Sequence, residues 1–449
     1  MNFLVFDLNP SEKIVLDTIR RSIEPSKSRI VEKSNLPWAT VTAAVNSLSE
    51  KELINCKSKD GRDKVELNTG NYFIGISLGS SNIKVSITSM SCTMLSSEEF
   101  EDGASIIKNI TQRFMECIGY NDTKETLFNY KTDKAAWCFS TPDNYVEWSN
   151  LLSTITLILL EEFNLNIVAM CFVFPGHIDI NNQRIIESSY SNLVIKTTNI
   201  ESLLDNKVLD KIKERNISLF IDHNVKAATS FELSNIIRNT NSYYSENLAV
   251  MYMGLGIGMG IVINGQLYRG GLLNLAGQFG YVYVNKVSDE FILDYFNGAI
   301  ENDKEYAYTV ITKRESNTLE NVLREDVFYK LLGKNNEKSE KQRYKETYAD
   351  KLRDKLSGSD DIYRKKIAYY LGNEICNVVR MLSFNTFVFS GKLAVLYPAF
   401  KAELQYVIMN NNCQNGVNII VSENGEFSAA LGAAEMAYRN KFGISGAIE

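Results

Sequence analysis

Apolar residues recur at helical spacing through the first fifty positions, and from about Asn71 onward they give way to apolar strands broken by glycine. Two unlike architectures are therefore joined in one chain. Its 449 residues exceed what a single hydrophobic core usually supports, so two or three domains are expected. In the first segment, SEKIVLDTIRRS with the residue after it sets Ile14, Val15, Ile19 and Ile23 at helical spacing, and Ser11, just after Pro10, is placed to cap the helix. After a turn at Glu24-Pro25-Ser26, KSRIVEKSN makes a short second helix. NLPWATVTAAVNSLSEKELI makes a third, starting near Pro37, with Val41, Ala44, Val45 and Leu48 on its apolar face. Short helix, tight turn and longer helix is the helix-turn-helix order.

The residues left facing outward on the third helix are Trp38, Ala39, Thr40, Thr42, Ala43 and Asn46. Small and polar side chains let a helix approach base edges, and an asparagine can pair with adenine in the major groove. A strand from Glu52 to Asn55, an Asp60-Gly61 turn and a second strand Val65-Glu66-Leu67 predict a hairpin wing whose tip carries Lys57, Lys59, Arg62 and Lys64. Double-stranded DNA is the partner this pattern fits. A three-helix interaction module with a solvated hairpin is the alternative. The net charge of −6 divides into +1 over residues 1–68 and −7 over the remainder, so only the first segment is even mildly basic, and no tract suits nonspecific polyanion binding.

Hydrophobic residues at 45% and charged residues at 23% exclude the disordered and fibrous classes. The longest apolar stretch, Leu151–Leu160, is interrupted by Ser153 and Thr154 and ended by Glu161 and Glu162, so it reads as a buried helix and not a membrane span. The N-terminus lacks a basic n-region and a small-residue cleavage site, which points to retention in the cytoplasm. Seven cysteines stand singly without a C-x-x-C pair, so buried reduced thiols are expected and neither a disulfide framework nor a thiolate zinc site.

In the second segment, Tyr72–Asn82 followed by Ile83–Thr88 reads as strand, tight turn, strand, with Ser77, Gly79 and Ser81 around a loop that could cradle phosphate. Farther on, Gly254, Gly256, Gly258 and Gly260 alternate as a close-approach loop requires, and a second hairpin turns at Asn264-Gly265. These motifs, with VFPGHIDI, SYSNL, DHNVKAATSFE, GQLYRGGLLNLAGQFGY, FVFSG and AALGAAEMA, resemble the ROK family of repressors, open reading frames and kinases over nearly the whole chain. The resemblance implies an α/β protein with an N-terminal winged helix-turn-helix and an actin-like, sugar-kinase-like body of two lobes around a cleft. It implies boundaries at 1–70 for the winged domain, 71–195 for a small lobe onto which a C-terminal helix over 428–449 packs back, and 196–427 for a large lobe. A charged, solvated helical excursion is expected near 313–361, with a flexible loop near Gly333 to Ser339.

Departures from the family pattern bear on function. Ser77 and Ser81 stand where kinases of the family carry the Asp and Thr of Asp-x-Gly-x-Thr, and the catalytic-base aspartate aligns with Asn224, whose amide cannot accept a sugar hydroxyl proton. The family's Gly-Glu-x-Gly-His is Gly277-Gln278-Phe279-Gly280-Tyr281 here, and no cysteine lies between Cys171 and Cys376, so no zinc, no other metal and no cofactor is expected. The resemblance leaves Asn192, Asp222, Asn224, Gln278 and Tyr281 as ligand-contacting candidates. The two histidines, His177 and His223, lack a partner ligand and read as noncatalytic, and the usually glycine-rich adenosine-side motif is Phe389-Ser390-Gly391-Lys392, whose Lys392 either crowds a nucleotide or is merely solvent-exposed. A regulator without kinase activity follows, binding an operator as a homodimer or dimer of dimers and answering to a sugar. An active sugar kinase carrying a DNA-binding domain, or a regulator without a small ligand, are the alternatives.

Overall fold

The computed structural model describes residues 7–59, 62–80, 82–118, 127–129, 133–142, 144–190, 193–240, 247–254, 256–271, 274–298, 316–333, 347–358, 361–413, 417–444 and 447–448. Its first helix, α1 (Pro10–Arg20), is capped by Asn9 and not by Ser11. The Asn9 side chain accepts from the Glu12 amide at 3.0 Å and the Glu12 carboxylate accepts from the Asn9 amide at 2.9 Å. That reciprocal box requires an acidic residue three places after the cap, which Asn9 has and Ser11 lacks. Glu12 also accepts from Lys51 Nζ at 2.8 Å and Ser47 Oγ at 2.5 Å, tying α1 to the end of the third helix. Burial raises the Glu12 pKa, but the donors from Lys51, Ser47 and Asn9 outweigh it and hold the carboxyl below its ordinary value.

Ser26 caps α2 (Lys27–Ser34), which ends at Asn35 with a φ of 54°. α3 (Trp38–Glu50) buries Val41, Ala44, Val45 and Leu48 against Val15, Leu16, Ile19 and Ile30. β1 (Ile54–Lys59) and β2 (Arg62–Leu67) then pair antiparallel from Ile54↔Leu67 to Lys59↔Arg62. The apolar cluster of these elements runs on without a gap into Phe73, Met90, Tyr438 and Phe442.

The chain falls into two compact units, Met1–Glu246 with Val262–Leu275 and Phe427–Glu449, and Asn247–Ile261 with Ala276–Glu426. The first is organised by β3 (Tyr72–Leu78), β4 (Asn82–Ser89), β5 (Leu127–Asn129), β6 (Ala136–Ser140), β7 (Ile167–Phe174) and, after a three-stranded sheet of β8 (His177–Asp179), β9 (Arg184–Tyr190) and β10 (Leu193–Thr198), by β11 (Ser218–His223). The main sheet has the order β11-β7-β3-β4-β6-β5. β3 and β7 are buried at every residue, as central strands covered on both faces must be. β11 lies parallel to β7 and completes the sheet, so β11 and the helix after it, α7 (Asn224–Thr240), fall in the first compact unit, whereas the resemblance implies a boundary at 195.

On one face lie α7 and the C-terminal helix Ser428–Phe442, and a Cβ on Gly75 would fall 1.9 Å from the Ala430 carbonyl oxygen, one on Gly432 1.9 Å from that of Ala227. The alanine-rich helix can approach strand and helix only because both positions lack a side chain. Against the other face pack α4 (Gly103–Ile118), through Ile107, Ile110 and Phe114, and α5 (Tyr145–Glu162), through Trp148, Leu152 and Leu159.

In the second unit, β12 (Leu248–Met253) lies parallel to the strand Thr386–Ser390, which lies parallel to Asn418–Val421. Helices Asp361–Leu382 and Tyr397–Asn410 pack together where Gly372 admits Val407. Within the stretch near 313–361, Val322, Leu323, Val327, Leu352 and Leu356 are fully buried, so its described helices contribute to the core. Part of it, including the loop expected from Ser339 back to residue 334, lies outside the described residues. Cys56 and Cys117 are exposed, contrary to the expectation of uniformly buried thiols. No helix among the described residues is long and apolar enough to cross a membrane.

Candidate functional site

On α3, Trp38 is 55% exposed, Ala39, Ala43 and Asn46 are exposed and Thr40 is half-buried. Thr42 departs from this set: it is half-buried, and its hydroxyl is shut off from solvent with no hydrogen-bond partner among the described residues. The backbone of the hairpin pairs Lys57 with Lys64 and Lys59 with Arg62, while the side chains of Lys57, Lys59 and Arg62, and the Asp60-Gly61 turn itself, lie outside the described residues. Lys64 is exposed and pairs with Glu66 at 2.9 Å, which raises its pKa through the hydrogen bond and the charge.

A second constellation forms where β11 hands over to α7. Asn224 is the first residue of α7 and half-buried. Asp222, two residues earlier, is 2% exposed, and both of its oxygens accept from Arg269, at 2.7 and 2.6 Å. A carboxylate so enclosed forms a buried, bidentate ion pair with Arg269. Burial depresses the Arg269 pKa, but Asp222 more than offsets this and holds the guanidinium above its ordinary value. His223 Nδ1 accepts from the Val225 amide at 3.2 Å, helping to cap α7, and burial, then Lys226, drives its pKa down to about 3, so the ring is neutral at physiological pH. Asn192 lies outside the described residues.

Lys226 is buried with Nζ 3.4 Å from the Tyr268 carbonyl, and burial, then Arg269, pushes its pKa down from 10.5 to about 8. Because the folded pKa is the lower one, the unfolded chain holds the extra proton between pH 8 and 10.5, and stability rises with pH across that window. Lys226→Met is expected to abolish the rise and to add roughly 1–3 kcal/mol at pH 7, read from urea unfolding at several pH values. An unchanged pH profile would show that Lys226 keeps its charge at no cost.

The two glycine-bearing loops close on bonds of their own. Ser77 is buried within β3, and the Gly79 amide donates to the Asn82 carbonyl at 3.0 Å, closing the turn against which Thr141 Oγ1 also donates, to the Gly79 carbonyl, at 2.8 Å. Ser81 lies outside the described residues. In the second unit, the Gly254 amide bonds the Gly256 carbonyl at 3.0 Å, and the Glu320 carboxylate accepts from the Ile257 amide at 3.1 Å. A Cβ on Gly256 or Gly280 would sit 2.8 or 2.9 Å from Glu320 Oε2, so the glycines make room for this carboxylate. An amide that could hold a phosphate oxygen is thus bound to a negative charge. Gly258 lies in β13 (Ile257–Ile263), and Gln278 precedes a short 3-10 turn of the same unit, Phe279–Tyr281, whose last residue, Tyr281, is 67% exposed. Lys392 follows Gly391, whose φ is 85°, and is half-buried. No three of His, Cys, Asp and Glu converge as metal ligands among the described residues.

The sequence reading missed Arg269 and Glu320. Arg269 sits in a hairpin without any local signal, and Glu320 lies in a stretch whose many charges disguised it.

A hairpin leading a mixed sheet, extended in parallel by β7 and β11 on one side and antiparallel by β6 and β5 on the other, with helices on both faces, fits an actin-like body of the sugar-kinase type. The ROK family matches residues 118–440, and the chain belongs to that family. A solved ROK family transcriptional regulator, a homologue of the E. coli MLC protein, is similar with a TM-score of 0.56 at 11% identity, over 96% of this chain and 97% of that one. A ROK family glucokinase from Streptomyces griseus, solved with glucose and AMPPNP, is similar at 0.47 and 13% identity over 82% and 99%. A ROK hexokinase from Thermus thermophilus is similar at 0.47 and 14% identity over 82% and 98%. No curated protein matches the chain's sequence.

Proposed function

We propose that the chain is a DNA-binding transcriptional regulator, with a winged helix-turn-helix over residues 1–70 and a body that has lost sugar-kinase chemistry. The observation that carries this reading is α3, which buries one face and offers Trp38, Ala39, Ala43 and Asn46 on the other, followed directly by a two-stranded hairpin. In this reading α3 enters the major groove and the hairpin rests on phosphate or minor groove. The likeness to a regulator of the same family along nearly the full chain supports it. Repression of a pseudo-palindromic operator by a dimer, relieved or reinforced by a sugar, completes the proposal.

Lack of kinase activity rests on Asn224, which cannot take a proton, and is supported by the Glu320 carboxylate at the glycine-rich loop. Losing a general base alone costs on the order of 10² to 10⁴ in rate. Operator selection from sheared genomic DNA, followed by gel shift, tests the regulator reading. Asn46→Ala is expected to change the preferred base at one position by roughly 1–3 kcal/mol, whereas neutralising Arg62 and Lys64 should weaken binding to all sequences and flatten its salt dependence. Failure to enrich any fragment would remove the reading. Phosphorylation of a hexose with magnesium and ATP, at a rate that Asn224→Ala abolishes, would put the kinase in its place.

A further inference from the structure

A recess of about 390 Å³ opens where the end of α1, the start of the α1–α2 turn, the second half of β2, the turn after β4 and the end of α7 meet. Arg20, Arg238 and Lys64 line it together with Ser22, Ser91, Thr93 and Glu66, over a floor that includes Ile19, Ile23 and Val65. Lys64 and Glu66 pair with each other at 2.9 Å and cancel.

The two arginines belong to a larger cluster. Arg20 donates to Asp17 at 3.0 Å and to Glu435 at 3.0 Å. Arg439 Nε donates to the same Glu435 oxygen at 2.9 Å, and Arg21 Nε lies 3.2 Å from Asp17. Arg238, half-buried, donates among the described residues to a backbone oxygen alone, that of Ser91, at 2.7 Å. Among the described residues four guanidiniums (Arg20, Arg21, Arg238, Arg439) therefore face two carboxylates (Asp17, Glu435), an excess of two positive charges in a region from which water is largely withdrawn. Burial, and then the charge of Arg20, lowers the Arg238 pKa, as expected of a guanidinium without its own counter-ion. Arg20, 2% exposed, also keeps Nη1 buried without a hydrogen-bond partner among the described residues.

Uncompensated buried charge is costly unless something neutralises it. We propose that this recess binds a small dianionic oxyanion, a phosphate ester or a dicarboxylate, with Arg238 as its principal cationic contact and the Thr93 hydroxyl as a hydrogen-bonding one. The excess charge sets the ligand's charge, the volume limits it to a small molecule, and the apolar floor accommodates a short carbon skeleton. Such a ligand would touch α1 and β2 on one side and β4 and α7 on the other, and so would fix how the first seventy residues dock on the sheet.

The test titrates the full chain with inorganic phosphate and, separately, with malonate, each against sodium chloride at matched ionic strength, and reads both thermal unfolding and heat of binding. Phosphate stabilises proteins generally, so the comparison with variants decides. Saturable binding that Arg238→Gln weakens at least tenfold is expected, and Thr93→Val, a milder change that keeps the cluster whole, should weaken it several-fold. Response to phosphate alone assigns the phosphate-ester class, and response to malonate the dicarboxylate class. A rise in unfolding temperature that is linear, unsaturable and equal in all three proteins overturns the proposal, as does saturable binding that both variants retain in full, which would place the anion elsewhere on the body. DNA is absent from the measurement, so its result is independent of the regulator reading.

Discussion

Glu435→Ala is expected to destabilise the first unit by about 3–5 kcal/mol, the range for leaving buried charges without their counter-ion. A single Glu435 oxygen accepts from Arg20 at 3.0 Å, Arg439 at 2.9 Å, Ser234 at 2.7 Å and Ser230 at 3.1 Å, and the residue is fully buried. It thereby joins α1 to α7 and to the C-terminal helix. Its removal strands the guanidiniums of Arg20 and Arg439, with Asp17 alone to serve both. The stacking of Arg20 over the Tyr438 ring, 5.3 Å from its centroid, would not compensate. Urea unfolding gives the magnitude, and limited proteolysis between Leu67 and Tyr72 should quicken as the first helices loosen from the sheet. A loss under about 1 kcal/mol would mean that Asp17 neutralises both arginines unaided.

Asp222→Ala should cost a similar 3–5 kcal/mol, because Arg269 would remain buried with both of its donors toward Asp222 unmatched. The informative comparison is the double change Asp222→Leu with Arg269→Met. Replacing a buried ion pair by apolar residues of like volume is often neutral, so the double variant is expected to be markedly more stable than the single one. If both are equally unstable, the pair's contribution lies in its shape and not in its charges. Neither change should alter the DNA binding proposed for α3 other than through stability, which a binding measurement well below the unfolding temperature would verify.

The three N-terminal helices were legible because each carries its own signals within a dozen residues: a proline or serine at the entry, apolar positions at helical spacing, and a turn after it. The buried face Val41, Ala44, Val45 and Leu48 is the one the spacing predicts. The Asn264-Gly265 turn was legible for the same reason, since both residues take positive φ, 52° and 73°, a conformation those two types tolerate best. Where two local signals competed, as Ser11 did with Asn9, reading one residue type at a time chose the wrong cap.

The candidate site divides along the same line. Asn224 could be read from its neighbours in the chain, because the chemistry it lacks is a property of one side chain. That Asp222 is spent on Arg269, 47 residues away, could not. Nor could the engagement of the Ile257 amide by Glu320, 63 residues on, or the meeting of Arg20 with Glu435 across 415 residues.

The sequence by itself determined the three N-terminal helices in order, the buried face of α3 and the amide at Asn224, since these depend on spacing and chemical type over a few neighbouring positions. Only the tertiary structure decided that Ser218–His223 completes the first sheet, that Asp222 is paired with Arg269, and that four arginines converge near a recess at the end of α1. Ion pairing and strand pairing depend on distances that the chain sets only when it folds back on itself, and no local periodicity encodes them.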